Sequence, residues 1–298
     1  MSVPNFFIVG AAKSGTTSLY HYLRQHPQVF MSPVKEPSHF MDWPGGIRSF
    51  EDYLSLFSKA AGAKAVGEAS TGYLYEPHAA GRIKEAFPDA RILMILRNPV
   101  DMCFALWRHM RRLGKRGESL SFESALEKER SRMSDGRFRA ACVESWHANF
   151  YYFQRGLYHH QVARYLETFG KDRVLVLLFE SFTDRPLEAC RSVFRFLSVA
   201  EDFTPSMRKH NVGVEFRHRG LQKALDEGRL IPGEPGAPKS SRFLQTIEGW
   251  LRILNLKPTP RMASDTRMRL MDAYAHDVEL LGRLLERDLS TWLRGDAR

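Results

Sequence analysis

The chain has 298 residues, of which 43% are hydrophobic and 26% are charged, and its formal net charge is +10. These proportions are ordinary for a globular protein. The sequence also excludes a membrane-spanning helix, because no run approaches the ~18 consecutive apolar residues that such a helix needs. The chain has three cysteines, Cys103, Cys142 and Cys190, which are too few and too far apart in sequence for a disulfide framework or a metal site. We therefore expect them to be reduced thiols in the core.

The first predicted element is a short apolar strand, Phe6–Val9, which runs into a glycine loop and then a helix. Gly10 and Gly15 allow tight or positive-φ backbone conformations in this loop. The helix is predicted over Thr16–Gln25, because Pro27 ends it. Hydroxyl side chains stand beside the free N–H groups of its first turn, so we expect an anion to bind there.

The loop differs from the nucleotide-triphosphate loop G-x-x-x-x-G-K-[ST]. Gly10 and Gly15 have its spacing, but Thr16 stands where that pattern requires lysine. The only lysine in the loop is Lys13, and the chain lacks a convincing apolar strand that ends in a magnesium-binding aspartate. The pattern therefore argues against a magnesium-dependent nucleotide kinase or NTPase, which stays as an alternative.

Two further predicted strands end beside charged side chains. One runs from Lys64 to Glu68, and the other is the apolar run Arg91–Leu96, which Arg97 follows. Asn98-Pro99 then supplies an N-cap and a first-turn proline for a helix that reaches Arg112. Arg97 and this helix N-terminus converge on one point, which suits a phosphate group.

Residues 108–139 contain ten Lys/Arg against five Asp/Glu and show no strand-like alternation, which predicts a helical insertion or lid. Its role is open between a solvated surface and acceptor binding. The later predicted elements are a helix over 157–169, a strand over 174–179, a helix over 187–197, a Gly/Pro-rich loop over 228–239 and a closing helical segment over 263–292. This alternation predicts a single α/β domain over residues 1–298, with a central parallel sheet covered by helices on both faces.

Gly10–Ser18 resembles the 5′-phosphosulfate loop of the sulfotransferases that use 3′-phosphoadenosine 5′-phosphosulfate (PAPS). Other segments resemble the same family in the same order. They are Val34–Phe40 (its lysine-glutamate segment), Val66–Tyr73 (its catalytic glutamate segment), Ile95–Asp101 (its 3′-phosphate segment), and 155–158, 174–180 and 285–292 (its later core). The chain is therefore identified as a member of this family, in its bacterial and heparan-sulfotransferase-like branch. The resemblance implies a P-loop-type nucleotide-binding fold.

The resemblance also implies transfer of the sulfuryl group from PAPS to a hydroxyl or amine of an acceptor, with adenosine 3′,5′-bisphosphate (PAP) as the product. The acceptor is expected to be a glycan, a lipid or another small molecule. Lys13 is expected to stabilise negative charge on the leaving 5′-phosphate, so that no metal is required. Further contacts to the cofactor are expected from Ser14, Gly15, Thr16, Thr17 and Ser18.

Glu68 is implied to be the general base, at a strand end where parallel α/β proteins present functional groups. Heparan-type sulfotransferases have a lysine after this glutamate, whereas this chain has Ala69. Lys35 is implied to lie near the sulfuryl group or the acceptor, as a catalytic and substrate-binding residue, with His39 nearby. Alternative bases are the remaining candidate histidines, which are His109, His147, His159 and His160.

Arg97 is implied to hold the 3′-phosphate of the cofactor. The family usually has a serine eight residues later that assists, and this chain has Ala105 there, so one donor is missing. Arg217 or Arg219, in a segment that resembles the family's late cofactor loop, is expected to compensate. An exposed basic loop is the alternative interpretation of that segment.

The charge of +10 raises the question of nucleic acid binding, but no nucleic-acid motif accompanies it. An anionic nucleotide cofactor explains the charge more economically, and a non-catalytic nucleotide- or polyanion-binding protein stays as the second alternative. The first residues, Met1–Val9, contain no basic side chain and lead directly into the first strand. We therefore expect no signal peptide and a cytoplasmic location.

Overall fold

A computed structural model describes residues 2–113, 117–207 and 260–294, together with Leu251 and two short strands at 215–216 and 256–257. The backbone groups into two compact units. One consists of Met1–His210 with Met262–Arg298, and the other is Asn211–Arg261. The second unit contains an antiparallel pair of strands, Glu215–Phe216 with Leu256–Lys257. All elements described below belong to the first unit.

The first unit is built on a five-stranded parallel sheet. Its strands are β1 (Phe6–Gly10), β2 (Val29–Met31), β3 (Ala65–Ala69), β4 (Arg91–Leu96) and β5 (Val174–Leu178), in the spatial order β2-β3-β1-β4-β5. Apart from Glu68 in β3 and Arg91 at the start of β4, strands β1, β3 and β4 consist of small or apolar residues, which suit a parallel sheet buried on both faces.

Helices cover the sheet on both sides. In chain order they are α1 (Thr16–Leu23), α2 (Phe50–Ser55), α3 (Ala79–Ala86), α4 (Pro99–Arg112), α5 (Phe122–Ser134), α6 (Gly136–Ala141), α7 (Tyr158–Phe169), α8 (Phe179–Asp184), α9 (Pro186–Phe196) and α10 (Ser264–Leu285). Short 3₁₀ turns lie at His147–Phe150, Gln154–Gly156, Lys171–Arg173 and Ser290–Leu293. No helix among the described residues combines the length and apolar character needed to cross a membrane.

Alternate residues of β1 enter two different hydrophobic cores. Phe6 and Ile8 pack with side chains of α1, α8 and α9 on one face, whereas Phe7 and Val9 pack with α3, α4, α7 and α10 on the other. Both pairs are fully buried, and each such side chain stabilises the fold by about 1.5–3 kcal/mol relative to its exposed state. The predicted fold class, an α/β domain with a central parallel sheet flanked by helices, is confirmed.

The strand order places β1 in the middle of the sheet, between β3 and β4. The chain leaves β1 towards β2 and β3 on one side and later adds β4 and β5 on the other, so a topological switch point lies at β1. In open parallel sheets ligands bind at the carboxyl ends of the strands at such a point. The loop after Gly10, the end of β3 at Glu68 and Arg97 after β4 all lie at this edge.

Several predicted elements agree with the structure in type and nearly in length. The predicted strand Arg91–Leu96 is β4, and the helix that starts after Asn98 and reaches Arg112 is α4. Helices α5 and α6 lie within or next to the segment 108–139, whose role as an insertion or lid stays a prediction. The predicted loop 228–239 lies outside the described residues, and the extent of one domain over 1–298 also stays a prediction.

Two glycines offer a matched test of the packing. A Cβ atom on Gly67, in β3, would lie 2.4 Å from the Phe6 ring, whereas a Cβ on Gly81, in α3, would meet nothing within 4 Å. We expect Gly67→Ala to lower the free energy of unfolding by ~1–3 kcal/mol through overpacking. Gly81→Ala should raise it by ~0.5–1 kcal/mol, since alanine favours the helix. Urea denaturation of both variants measures this, and an unchanged midpoint for Gly67→Ala would contradict the packing of β1 on β3.

Candidate active site

The loop after β1 holds two residues in the left-handed region. Lys13 has φ 58° and Gly15 has φ 87°, and α1 begins directly afterwards at Thr16. A Cβ on Gly15 would also lie 3.1 Å from the Phe182 ring, so glycine is required there on both counts. The loop therefore leads the chain sharply into the N-terminus of α1, whose first N–H groups have no partner within the helix and can bind an anion.

The hydroxyl side chains of this loop differ in their environment. Ser14 is fully buried and donates its hydroxyl to the carbonyl of Ala12, 3.2 Å away, so it stabilises the loop itself. Thr16 is buried in the first turn of α1, whereas Thr17 and Ser18 are partly exposed. The first turn of α1 thus brings its N–H groups and two accessible hydroxyls to one place.

Positive charges converge on Lys13. Burial of its ammonium is the main reason why the pKa of Lys13 is lowered to about 8. The positive charges of Arg112, Lys35 and Arg97 act in the same direction, and only the carboxylate of Glu36 acts against them. Such an excess of cations around a buried lysine creates a strong local field for an anion.

Arg97 links the end of β4 to the loop after β1. Its Nη1 donates to the carbonyl of Lys13 at 3.2 Å, and its guanidinium lies over the Phe179 ring, 4.7 Å from the centroid. Asn98 follows as the N-cap of α4, because its Oδ1 accepts the N–H of Val100 at 3.0 Å. The Arg97 guanidinium therefore lies beside Lys13, and its convergence with the N-terminus of α4 on one phosphate group stays a prediction.

The later part of α4 also acts on Lys13. The pKa of His109 is lowered to about 4, mainly by burial and further by the positive charges of Lys13 and Arg112. His109 is therefore neutral at pH 7 and lies beside the cations of the site. Sequence analysis treated it only as one of several alternative bases, although its spacing of three from Arg112 puts both on one helical face.

Glu36 is a further candidate residue, one that sequence analysis did not single out. It has φ 62°, and its partly exposed carboxylate pairs with Lys35 Nζ at 2.5 Å through Oε1. Oε2 accepts the N–H of Thr71 at 2.7 Å, and the Thr71 hydroxyl lies 3.2 Å from Oε1. Left-handed non-glycine residues cost free energy and concentrate at functional sites, and Lys13, Glu36 and Ser38 are three of them.

Glu68 lies at the end of β3, as predicted, but its carboxylate is completely enclosed. Oε1 accepts the hydroxyl of Tyr73 at 2.7 Å and that of Tyr53 at 3.4 Å, and Oε2 accepts the hydroxyl of Ser70 at 2.8 Å. Burial raises the pKa of Glu68 to about 7, and the negative charge of Glu36 adds to this while the hydrogen bonds oppose it. Glu68 therefore changes its charge near neutral pH inside a closed ring of hydroxyls.

His39 reaches this ring from the other side. Its Nδ1 lies 2.7 Å from the carbonyl oxygen of Ile47, and its ring stacks on Tyr53 with centroids 4.7 Å apart. Its contacts in the described part of the chain therefore lead to Glu68 through Tyr53, and none joins it to Lys13. Arg217 and Arg219 lie outside the described residues, so their predicted cofactor role stays a prediction.

The other candidate bases lie in different surroundings. His147 contacts the rings of Trp146 and Tyr151, while His159 and His160 lie at the start of α7, near Asp277. The structure therefore brings only His109 among these four histidines to the cation cluster, as judged from the described residues.

One group of potential metal ligands lies apart from the cations. Asp42, Glu76 and His78 have ligand atoms within 4.8 Å of one another. Asp42 is already paired with Arg82 at 2.9 Å, and Glu76 Oε1 accepts the backbone N–H of His78 at 3.4 Å. These carboxylates are thus engaged within the protein and do not belong to the site around Lys13.

Comparison with known proteins gives consistent matches. The family model described as "Sulfotransferase domain" matches residues 3–219. Membrane-associated sulfotransferase kil1 of Dictyostelium discoideum is 30% identical over 128 residues, covering 43% of this chain and 27% of that protein. Human bifunctional heparan sulfate N-deacetylase/N-sulfotransferase 1 is 23% identical over 312 residues, covering 98% of this chain and 31% of that protein. The chain thus spans less than a third of the length of these two relatives.

A solved structure also matches over its full length. The sulfotransferase from Alicyclobacillus acidocaldarius is 34% identical, and the match covers 99% of this chain and 100% of that chain with a TM-score of 0.74. Both the fold class and the family expected from the sequence agree with this match.

The enclosed Glu68 predicts a specific dependence of stability on pH. Its pKa is raised from 4.5 to about 7 in the folded state, so between these values the folded protein binds more protons than the unfolded chain. Stability contributed at this site is therefore lost as the pH rises from about 4.5 to about 7. Over this pH window the free energy of unfolding of wild type should fall by on the order of 3 kcal/mol relative to that of Glu68→Gln.

The measurement is chemical denaturation of wild type and Glu68→Gln across pH 4.5–8. The exposed Glu167→Gln, on α7, serves as the control for removal of a solvated carboxylate. The difference in free energy of unfolding between wild type and Glu68→Gln should change with pH, whereas that between wild type and Glu167→Gln should not. If both differences were independent of pH, Glu68 would not carry a perturbed pKa.

Proposed function

This chain belongs to the sulfotransferase family, and from that membership we propose that it transfers a sulfuryl group from PAPS to a hydroxyl or amine of an acceptor, releasing PAP. The observation that carries the proposal is the convergence of cations on Lys13, at the carboxyl edge of the sheet. A donor with phosphate and sulfate groups supplies the negative charge that this edge lacks. The family membership does not favour the nucleotide kinase alternative.

The residues present fit such a donor. The N–H groups of the first turn of α1, with Thr16, Thr17 and Ser18, are proposed to bind the 5′-phosphosulfate. Arg97 and the N-terminus of α4 are proposed to bind the 3′-phosphate. Ser14 and Gly15 form the loop itself, since the Ser14 hydroxyl is used internally. Ala105 presents only a methyl group where the family usually has serine.

The reaction forms a bond between the acceptor oxygen or nitrogen and sulfur while the bond from sulfur to the 5′-phosphate oxygen breaks. Negative charge develops on that phosphate, and the acceptor loses a proton to a base. Lys13 is proposed to stabilise the developing charge, and Lys35 to neutralise the sulfuryl oxygens. With a pKa of about 8, lowered mainly by burial, Lys13 is largely protonated at pH 7, and a bound anion favours its ammonium form further because it offsets the surrounding positive charges.

Two carboxylates are candidates for the base. Glu68 was predicted from the sequence, but all its hydrogen-bond partners are buried hydroxyls, and its side chain has no exposed surface. Glu36 has 38% of its side chain exposed, and its charge acts on Lys13 directly. An acceptor arrives from solvent, so we propose that Glu36 takes its proton and that Glu68 serves as the alternative, acting through the Ser70 or Tyr73 hydroxyl.

The acceptor is proposed to be a glycan, a lipid or another small molecule with a free hydroxyl or amine. One relative is named as an N-sulfotransferase of heparan sulfate, so a glycan amine is the first class to test. Ala69, where heparan-type enzymes have lysine, makes an altered glycan preference part of this proposal. A cytoplasmic location likewise stays a prediction.

The first functional prediction concerns Lys13. Lys13→Ala should reduce turnover of labelled PAPS by about 10²- to 10³-fold, since the variant lacks the charge opposite the leaving phosphate. Lys59→Ala, which removes an exposed lysine elsewhere, should leave the rate unchanged. Activity should also persist in EDTA, because side chains supply the positive charge. A folded Lys13→Ala protein with normal turnover would refute the role of this loop.

The second functional prediction separates the two carboxylates. Glu36→Gln keeps the shape of the side chain but removes its basicity, so the turnover number should fall by roughly 10²- to 10⁴-fold. PAP affinity, measured by calorimetry, should not fall, because the variant removes a negative charge near Lys13. Glu68→Gln should lower the turnover number much less. The reverse order of the two rates would make Glu68 the base.

A further inference from the structure

Arg155 is a buried guanidinium beside the proposed site. It lies in the 3₁₀ turn Gln154–Gly156 and is only 4% exposed. Nη1 donates to Asn149 Oδ1 at 2.6 Å, and Nη2 donates to the carbonyl of Thr71 at 3.2 Å. The guanidinium also lies over the Trp146 ring, 5.2 Å from its centroid. None of these partners carries a charge.

The turn that carries Arg155 is fixed from two helices. Glu129, on α5, accepts the backbone N–H groups of Phe153 and Gln154 at 2.9 and 2.8 Å. Tyr274, on α10, donates to the carbonyl of Phe153 at 2.9 Å, and a Cβ on Gly156 would lie 2.5 Å from the Tyr274 hydroxyl. Arg155 therefore projects from a rigid support.

Thr71 connects Arg155 to Glu36. The N–H and hydroxyl of Thr71 both bind the Glu36 carboxylate, and the carbonyl of the same residue accepts the Arg155 guanidinium. A second, electrostatic connection exists, because the Glu36 charge acts on Arg155 through space. A charge that is buried among neutral partners is costly, which favours a role beyond packing.

We propose that Arg155 is a positioning residue for sulfuryl transfer: its hydrogen bond to the Thr71 carbonyl fixes Thr71, and Thr71 in turn orients the Glu36 carboxylate. This inference rests on the proposed function, in which Glu36 receives the acceptor proton. Arg155 itself touches neither the donor nor the acceptor in this proposal.

The charged groups that face Glu36 come from separate segments. They are Lys35 on its own segment, Lys13 from the loop after β1, Glu68 from β3 and Arg155 from the turn before α7. Removing the positive charge of Arg155 disfavours ionised Glu36. The acid limb of the pH–rate profile should therefore move to higher pH in Arg155→Met, whereas Arg155→Lys, which keeps the charge, should leave the limb in place.

The test measures sulfuryl transfer from labelled PAPS to an N-deacetylated heparosan oligosaccharide across pH 5–9, with PAP affinity measured by calorimetry. Arg155→Met should lower the turnover number by about 10- to 100-fold, as expected for a misaligned base, with PAP affinity within about twofold of wild type. Thr71→Val, which removes only the hydroxyl, should show a smaller loss of the same kind.

Arg164→Met is the matched control. Arg164 also donates from a partly buried guanidinium to a carbonyl, that of Glu76, at 3.0 Å, but it has no contact with Thr71 or Glu36. Its removal should lower thermal stability without moving the acid limb. If Arg155→Met behaved like Arg164→Met, with an unmoved limb, Arg155 would be purely structural and the inference would be overturned.

A readout without turnover separates this inference from the proposed function. In protein labelled with ¹³C at the glutamate carboxyl, the resonance absent from Glu36→Gln identifies Glu36. Its titration should move to higher pH in Arg155→Met, and an unmoved titration would refute the inference even if the wild type showed no transfer. If Arg155→Met failed to fold, a turnover number of wild-type size in Thr71→Val would refute it instead. Absence of PAPS turnover in wild type, with the titration shift present, would refute only the proposed function.

Discussion

Positive charges held together at one edge of the sheet are the constraint on which the rest of this structure depends. Lys13 lies on the loop after β1, Lys35 follows β2, and Arg97 follows β4, so side chains distant in sequence must be kept close against their mutual repulsion. Packing supports this arrangement: the Phe179 ring lies under the guanidinium of Arg97 and so close to Gly15 that a Cβ there would be 3.3 Å from it. The repulsion stored at this edge is what an anionic donor would relieve on binding, and it provides a physical basis for donor affinity.

The same edge contains two glutamates in opposite environments. Glu36 is partly exposed and paired with a lysine, whereas Glu68 is sealed among hydroxyls, with its pKa raised to about 7 by burial. In this arrangement the enclosed glutamate holds Tyr53, Tyr73 and Ser70 in place, so it fixes the wall of the site. Glu36 is the one of the two glutamates with an exposed side-chain surface.

Residues predicted correctly from the sequence are those whose position follows from local rules. Arg97 follows a continuous apolar strand and precedes an Asn-Pro helix start, and Gly15 precedes a helix, so their proximity to the sheet edge could be derived. The contacts of Glu36 and Arg155 could not be derived from the sequence. Thr71 links the two residues, but Glu36 is 35 residues and Arg155 is 84 residues away from it along the chain, so the link exists only in the folded protein. The enclosure of Glu68 was also not predicted. One of the hydroxyls around it belongs to Tyr53 in α2, and nothing in the sequence of this helix indicates that it contacts β3.

The basic segment 108–139 is connected to the surroundings of Lys13 and of Arg155 at two points, which bears on how an acceptor-binding role of the segment would be coupled to the proposed chemistry. Arg112, near its start, acts electrostatically on Lys13, and Glu129, on α5, caps the turn that presents Arg155. Burial raises the pKa of Glu129 to about 7, so this cap is held by a carboxylate that titrates near neutrality. Hydrogen bonds thus connect helix α5 to Glu36, from Glu129 to the turn that carries Arg155, from Arg155 to Thr71, and from Thr71 to Glu36. An acceptor-binding role of the segment, which stays a prediction, would therefore be coupled to the orientation of Glu36, because the same segment supports the turn that carries Arg155.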